Sequence, residues 1–565
     1  MPKSYPIQSA FSSGQVSWKF RSRFNLDLYS TGLAKCQNVI ADPRGPCESR
    51  GSFVRINNIS NETDCQLIPF PVSKTIGFFL VFYNNTLRIY NAITGALQLT
   101  VASPYTIAEL HEIQFEMQPG GNRMYFVHND VAQHELLYDP SIPLWTLQPI
   151  SFTSPPAAWV AGNYPSAVTF AGQRAWFGGS PNNQQTLWGS VVGQFSDMSL
   201  GTATASDAMA FNITKSGKIE WLSNAKNLLV GTENSEHIIF SNDGTQAIKP
   251  GTVDHEEQSE YGSYPLKPFR IGLYTFYLSQ DRTKIRYMWY NYDEQGHISD
   301  DLTFIADGEF PSPIKNLIYQ KKPDSLIWAV LDDGSFASCT YFKEGITNPI
   351  IGWHFHTITD GSVKDMCVIE VGEDSYLIRA VAKTVNGTQQ ITLEQYNPDE
   401  LLDSMETVTH VVADNNITGV TMLAGKTVNV LADGAVHPDV TLDASGNGTI
   451  NYDANNIKLG FKFSAISQTL PYIQPTQGGT NASWKKRPNK VGVRLYNSSI
   501  PLINGKRPPE RSYDTDMDTP EPLITADVYA ANLGYDEFGQ VTVEQDLPIK
   551  LRFTAILGQM TASDL

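Results

Sequence analysis

Between Ile68 and Tyr396 the chain repeats one device: a short run of apolar and β-branched residues, a tight turn, and a second such run. IGFFLVFYNNTLRIYN (76–91) shows it plainly, with two apolar runs around Asn84-Asn85, a pair that tolerates the left-handed backbone of a two-residue hairpin turn. RMYFVHNDVAQHELLYD (123–139) turns at Asn129-Asp130, and AVTFAGQRAWFGG (167–179) at Ala171-Gly172. The segments 218–244, 271–291, 316–342 and 363–396 continue the pattern. Turns recur about every 8 to 12 residues, and larger hairpin units about every 40 to 60. That spacing predicts a β-propeller, whose four-stranded blades cannot bury both faces alone and therefore stack into a ring. Stacked β-sandwiches are the structural alternative.

Composition agrees. The chain is 41% apolar and only 18% charged, with 25 Tyr, 27 Phe, 42 Gly and 33 Pro, which favours strands joined by turns over helices or disorder. Its 565 residues exceed one ordinary core. The expected fold is mainly β: an N-terminal docking strap and helix (1–65), a propeller (66–400), a small β domain (401–470) and a C-terminal β-rich platform segment (471–565). Helices are expected in two places. Leu28, Gly32, Cys36, Val39 and Ile40 fall on one helical face behind Asp27, predicting a helix over 27–40 that ends before Pro43. Thr106–Met117 is the second. Within the small domain, 408–452 alternates around an Asp433-Gly434 turn. Gln474–Lys490 reads as looser chain, 491–497 as a strand, 501–522 as a long loop and 541–560 as a closing hairpin.

Motifs of catalysis and metal binding fail at the residues that matter. TMLAGKT (421–427) has Val420 where a phosphate loop needs glycine, and it runs into a strand pattern instead of a helix. His354 and His356 share one strand face without a third ligand and read as surface or interface histidines. Asp514, Asp516 and Asp518 have the spacing that opens a calcium loop, but Thr519 and Thr525 stand where glycine and glutamate are required. No catalytic residue, metal or cofactor is expected. The five cysteines, without a CxxC, read as free thiols of a reducing compartment. No run of 18 apolar residues predicts a membrane-spanning segment, and MPKSYPIQSAFSSGQ lacks the apolar core of a secretory signal.

Charge is uneven. The net value is -17, the reverse of a chain that grips nucleic acid over its whole surface; acidic walls let DNA slide past. Between Gly478 and Arg511, however, eight cations face Glu510 alone. Lys485, Lys486, Arg487, Lys490 and Arg494 are therefore candidate contacts to DNA or a partner; the alternative is a face that pairs with acidic loops such as 514–521, in the same subunit or the next. Near the N-terminus, Trp18, Phe20, Arg21, Arg23 and Phe24 form a basic-aromatic strap, too small for a nucleic-acid arm, that is expected to dock on a neighbouring domain or subunit. Deleting 1–40 is expected to leave the propeller folded and to impair assembly.

FSSGQVSWKFRSRFNLDLYSTGLAKCQNVIADPRGP (11–46) resembles the start of the tail nozzle proteins, or tail tubular protein B family, of short-tailed bacteriophages (podoviruses). Phe11, Ser12, Gly14, Val16, Ser17, Asp27, Leu28, Tyr29, Gly32, Asn38, Ile40, Pro43 and Gly45 carry that likeness. A second segment, 164–198, is similar to the family's signature through Pro165, Val168, Phe170, Arg174, Trp176 and the Phe177-Gly178-Gly179 run, with Gln184 or Gln185 where proline is usual. Segments 219–239, 259–272, 430–450, 489–498 and 539–558 follow in order. Cys47–Ser49 departs from the arginines the family tends to carry. The resemblance implies a structural virion protein, made in the host bacterial cytoplasm and resident in the tail. It implies a homohexameric ring of propellers and β-rich platforms around the channel for genomic DNA, holding an adaptor protein above and tail fibres or a needle, without enzyme activity. A β-propeller glycosidase or glycan-binding surface protein is the alternative.

Overall fold

Seven four-stranded antiparallel sheets account for the recurring hairpins. The computed structural model describes residues 3–563 apart from 215–216, 246, 344–347, 477–478, 510–518, 532–533 and 535. Blades 1 to 6 span residues 66–102, 114–149, 167–212, 219–259, 269–301 and 314–356. Blade 7 takes three strands from 362–397 and its outer strand, Ser52–Ser60, from ahead of blade 1. Pairing of Phe53 with Tyr396 and Ile59 with Ile391 thus closes the ring with chain from both ends of the propeller. The inner strands of blades 7 and 1 meet where Leu67 N–H donates to Asp365 Oδ2 at 2.7 Å.

Seven apolar clusters fill the seven gaps between successive blades. Phe82 meets Phe126 edge-on between blades 1 and 2, and Cys367 and Ile369 of blade 7 pack on Phe79 and Val81 of blade 1. Each blade is covered on both faces, which is why Gly77–Tyr83 and Leu326–Leu331 are apolar runs with every residue buried and show no alternation. Asn85 takes the left-handed conformation expected of the first hairpin turn. In the third hairpin the turn lies at Gly172-Gln173, one residue later than expected. Ala171 pairs with Arg174, and both residues between them have positive φ, as a two-residue turn of this twist requires.

The helix expected over 27–40 is a correction. Only Leu28–Thr31 is helical; Gly32–Gln37 and Val39–Ala41 are strands. The spacing of apolar residues misled because Gly32–Gln37 is covered on both faces: Leu33 and Cys36 enter one core while Ala34 packs with Val16 and Leu470 in another. Asn38, at φ 54°, separates the two strands. Thr106–Met117 likewise holds one 3-10 turn, Leu110–Glu112, and then blade 2's inner strand, Gln114–Met117.

The rest of the chain forms two further β units. In a sandwich, Asp527–Ala531, Lys485–Leu495 and Arg552–Ser563 pair in that order, continuing to Cys47–Ser49 and Val39–Ala41. Its facing sheet extends blade 6 from Ile350–His356 through Gly14–Gln15, Gly32–Gln37, Ala465–Thr469 and Thr542–Gln545 to Leu502–Ile503. Phe11, Leu33 and Cys36 share the core between them with Val491, Val493, Val543, Phe553 and Ile556. The strands at 14–15, 32–37, 39–41 and 47–49 are therefore built into the platform's two sheets, so the N-terminal segment is not a separate unit. The strand expected from 491 is present but begins earlier: residues 485–490, expected to be loose, belong to the same long strand, Lys485–Leu495, on Arg552–Ser563. The closing hairpin expected over 541–560 does not form: Thr542–Gln545 and Arg552–Ser563 lie in opposite sheets, as strands that turn a sandwich corner do. The small domain comprises Asp403–Ile417, Gly448–Phe461, Thr427–Ala432 and Ala435–Thr441 around Val428, Val430, Ile457 and Leu459, with its turn at Asp433-Gly434 as expected. It joins the propeller through Met405 beside Val54. The protein is thus mainly β, a seven-bladed propeller with β-rich platform domains. Among the described residues, no helix is long and apolar enough to cross a membrane.

Candidate functional site

Propeller, sandwich and small domain meet at a joint built from residues remote in sequence. The opening FSSG turn is one element. Gly14, at φ 58°, is bridged to both Trp353 of blade 6 and Gly32, and a Cβ there would lie 2.4 Å from Trp353 O. Only glycine fits between those strands. Asn38 is the second element: its Nδ2 donates to Thr357 Oγ1 and Ser464 O, and its Oδ1 accepts from Thr357 N and Arg50 Nε.

Around Asn38 lies a network of wholly buried charges. Arg50 grips Asp403 with two parallel bonds of 2.6 and 3.0 Å and lies 3.8 Å over the Phe463 ring. Arg379 Nε donates to Glu394 Oε2 at 2.7 Å, and Lys383 Nζ to Glu394 Oε1 at 2.9 Å and to Ser404 Oγ at 2.6 Å. Burial alone would raise the Glu394 pKa; Lys383 and Arg379 outweigh it and bring it to about 2. Arg50 precedes blade 7's outer strand, Arg379, Lys383 and Glu394 belong to blade 7, and Asp403 and Ser404 open the small domain. Sequence reasoning missed this cluster. Its signal was single charges inside apolar runs, LIRAVAKTV and ITLEQY, where a strand covered on both faces has no water to offer them.

His354 and His356 lie beside it, buried where blade 6 meets Val39–Ala41, which corrects the surface half of the surface-or-interface reading. Ala41 N–H donates to His354 Nε2 at 3.0 Å, so His354 Nδ1 carries the proton toward Ser338 Oγ at 3.1 Å; Ser338 also meets His356 Nε2 at 2.7 Å. Burial lowers the His354 pKa to about 3, and burial with Arg50 lowers that of His356 well below the usual range. Both are neutral structural links.

The basic-aromatic strap docks within its own chain, on the loop between blades 5 and 6. Ser17 N–H donates to Ile305 O, Trp18 N–H to Glu309 Oε1 at 2.9 Å, and Lys19 pairs with Asp307. Phe20 meets Phe304 at 5.4 Å, and Arg21, lying over Trp18, donates to Ala34 O. Trp18, Arg23 and Phe24 remain exposed.

The cationic cluster divides by strand alternation and a β-bulge between Pro488 and Lys490 that shifts the register. On Lys485–Leu495, Lys485, Lys490 and Arg494 are exposed and Arg487 is half-buried, while Lys486 points inward and donates to the carbonyls of Ala482 and Glu537. Lys486 is therefore unavailable as a contact. Arg494 makes a two-pronged pair with Asp527, and Lys490 Nζ sits 3.9 Å over the Tyr529 ring, which lies across Gly492. Asp514, Asp516, Asp518 and Arg511 lie outside the described residues.

On the propeller axis a cavity of about 320 Å³ is lined by inner strands and the loops before them, with Gln66, His111, Lys267, Lys315 and Asp365 among its polar residues. They are largely engaged: Asp365 accepts from Leu67 N and Met366 N, His111 and Lys315 face Asp64, and Lys267 faces Glu116. Glu109, His128 and Asp130 bring their ligand atoms within 4.8 Å of one another, but both His128 ring nitrogens are already engaged, by Asp130 N–H and Glu112.

No family model and no curated protein matches the chain. Among solved structures, one titled "Crystal structure of RRP9 WD40 repeats" is similar at 7% identity and a TM-score of 0.40, covering 62% of this chain and 100% of that one.

Proposed function

We propose that the protein is the nozzle subunit of a short bacteriophage tail, with copies forming a ring around the channel through which the genome leaves and offering their platforms to adaptor and fibre proteins. The observation that carries this reading is where the family-like residues of segment 11–46 fall. Of the thirteen residues that carry the likeness, Phe11, Gly14, Val16, Ser17, Gly32, Asn38, Ile40 and Gly45 are buried, in the sandwich, at its junction with blade 6 or at the neighbouring blade contact, while Ser12, Leu28, Tyr29 and Pro43 are half-buried and Asp27 is exposed. A likeness in these positions is a likeness in how platform and propeller are joined, which generic propeller patterning does not produce. Segment 164–198 behaves the same way at a blade junction. Arg174 donates to the carbonyls of Ser190, Ala205 and Asp207, pinning a long loop, and a Cβ at Gly179 would lie 2.4 Å from Ile219 O of blade 4.

The acidic balance of the chain suits a wall past which DNA slides. Sedimentation and negative-stain imaging of the purified chain test the reading. Rings of six around an open channel are expected; a monodisperse monomer that cleaves polysaccharide overturns it in favour of a glycosidase.

A further inference from the structure

A ring of identical chains needs two different surfaces that fit one another. Resting on the ring proposed above, we infer that these are the Val411–Val412 excursion of the small domain and the basic outer face of the sandwich, each taking a second copy of this chain. Along Asp403–Ile417 the pairing with Gly448–Phe461 runs to Thr409 opposite Asn456 and resumes at Asp414 opposite Ala454. Residues 410–413 therefore face a single partner position, and the bulge drives them outward. Val411 is 103% exposed and Val412 79%, so two β-branched side chains project with nothing over them. The excursion is ordered by its own bonds: His410 Nε2 to Asn416 O at 2.9 Å, and Asn416 Nδ2 to Asp414 Oδ1 at 2.8 Å. Water gains nothing from such an exposure, and a receiving surface does.

Charge selects the receiver. The small domain exposes Asp439, Asp443 and Asp453; of its lysines, Lys426 is turned onto Asp360 and Lys458 onto Glu400, and the exposed Lys462 lies just past the end of Gly448–Phe461, six or more residues along from the bulge partners Ala454 and Asn456. The sandwich presents the complement: Lys485 and Lys490 exposed on one strand, with the exposed Tyr529 under Lys490 and the exposed Tyr496 just past the strand's end as apolar ground. An acidic knob with a valine tip and a basic face floored by tyrosine are complementary in sign and in polarity. Because the two patches differ, the contact is head-to-tail and repeats around a ring until it closes.

The test uses the full chain and two double variants, V411D/V412D and K485E/K490E, followed by sedimentation, with circular dichroism and melting to establish that each folds as the wild type does. Each variant alone is expected to fall from ring to monomer. Mixed in equal amounts, each still owns one intact surface, so the pair is expected to stop at a heterodimer. V411S/V412S, which adds no charge, is expected to weaken the ring at least tenfold in concentration. Rings of wild-type size from either double variant, or an equimolar mixture that stays monomeric, overturns the inference while leaving the ring itself standing. Wild-type chain that never forms rings overturns the ring reading and the inference with it. K485E/K490E that assembles normally but no longer retains double-stranded DNA reassigns the basic face to nucleic acid and also overturns the inference.

Discussion

The propeller and the joint that holds it to the platform are equally buried, by opposite means. Between blades the contacts are aromatic and aliphatic, and each blade packs on its neighbours in the chain. At the joint, Arg50, Arg379, Lys383, Glu394 and Asp403 are out of water, and their partners come from three units. Apolar stacking is tolerant of small errors in angle, whereas a two-pronged arginine–carboxylate pair is satisfied in one geometry only. The propeller thus supplies bulk stability, and the joint fixes how the platform sits upon it. In the ring proposed above, where an error per subunit would accumulate on closure, the second property matters as much as the first.

The largest effects come from damaging one member of each kind. Glu394→Ala leaves Arg379 and Lys383 facing one another in the interior and is expected to cost about 3–5 kcal/mol. Trp176→Ala, at a fully buried blade contact, is expected to cost about 3–5 kcal/mol as well. Acid separates them. Glu394 has a folded pKa of about 2, below its ordinary 4.5, so its contribution is complete above the ordinary value and is lost as pH falls through the folded one. Denaturant titrations are expected to show the Glu394→Ala deficit shrinking as pH falls from 4.5 toward 2, with the Trp176→Ala deficit unchanged. Equal pH responses in the two variants contradict the contrast.

This difference also explains what the sequence made legible. Hairpin turns such as Asn84-Asn85 and Asp433-Gly434 are local, so the blades and the small domain could be read directly. The seven-blade count could not, because the last blade borrows Ser52–Ser60 from before the first, a pairing that no periodicity records. The helix expected over 27–40 failed for the same reason: Leu33 and Cys36 are spaced like a helical stripe but are buried by strands from the far end of the chain, among them Ala465–Thr469. The basic cluster was visible as composition. That Lys486 turns inward beside the exposed Lys485 follows from strand alternation, but Lys490, which plain alternation would put on the face of Lys486, faces out because a β-bulge between Pro488 and Lys490 shifts the register, and no local signal marks it. The charged joint was legible only in part: Arg379, Lys383 and Glu394 stand out as single charges in apolar runs, but Arg50 and Asp403 gain meaning only as a pair.

A smaller effect comes from the two histidines. His354 is held neutral with a folded pKa of about 3 against 6.5 unfolded, so the unfolded chain takes up a proton that the folded one refuses. Stability is therefore full above pH 6.5 and falls as pH drops below it, by about 2 kcal/mol at pH 5 for this one residue. His356, lowered further by burial and Arg50, adds to the same slope. Comparing denaturation midpoints at pH 7.5 and pH 5 is expected to show this loss, and His354→Asn is expected to reduce the slope by one proton. A wild-type midpoint that does not move between those values contradicts the burial of both rings in neutral form.

The smallest effect is expected at the strap, which is also charged but stands in water. Lys19 is 70% exposed where it pairs with Asp307, and the neighbouring backbone bonds from Ser17 and Trp18 do not depend on it. An exposed pair is screened by salt and must immobilise a long side chain, so Lys19→Ala is expected to cost no more than about 1 kcal/mol. The strap should remain docked through Phe20 on Phe304 and Arg21 on Ala34 O. Thermal melts of the variant in low and high salt read this directly. If Lys19→Ala instead approached the cost of Glu394→Ala, the distinction between buried and exposed charge would fail, and the strap would have to be counted as part of the joint.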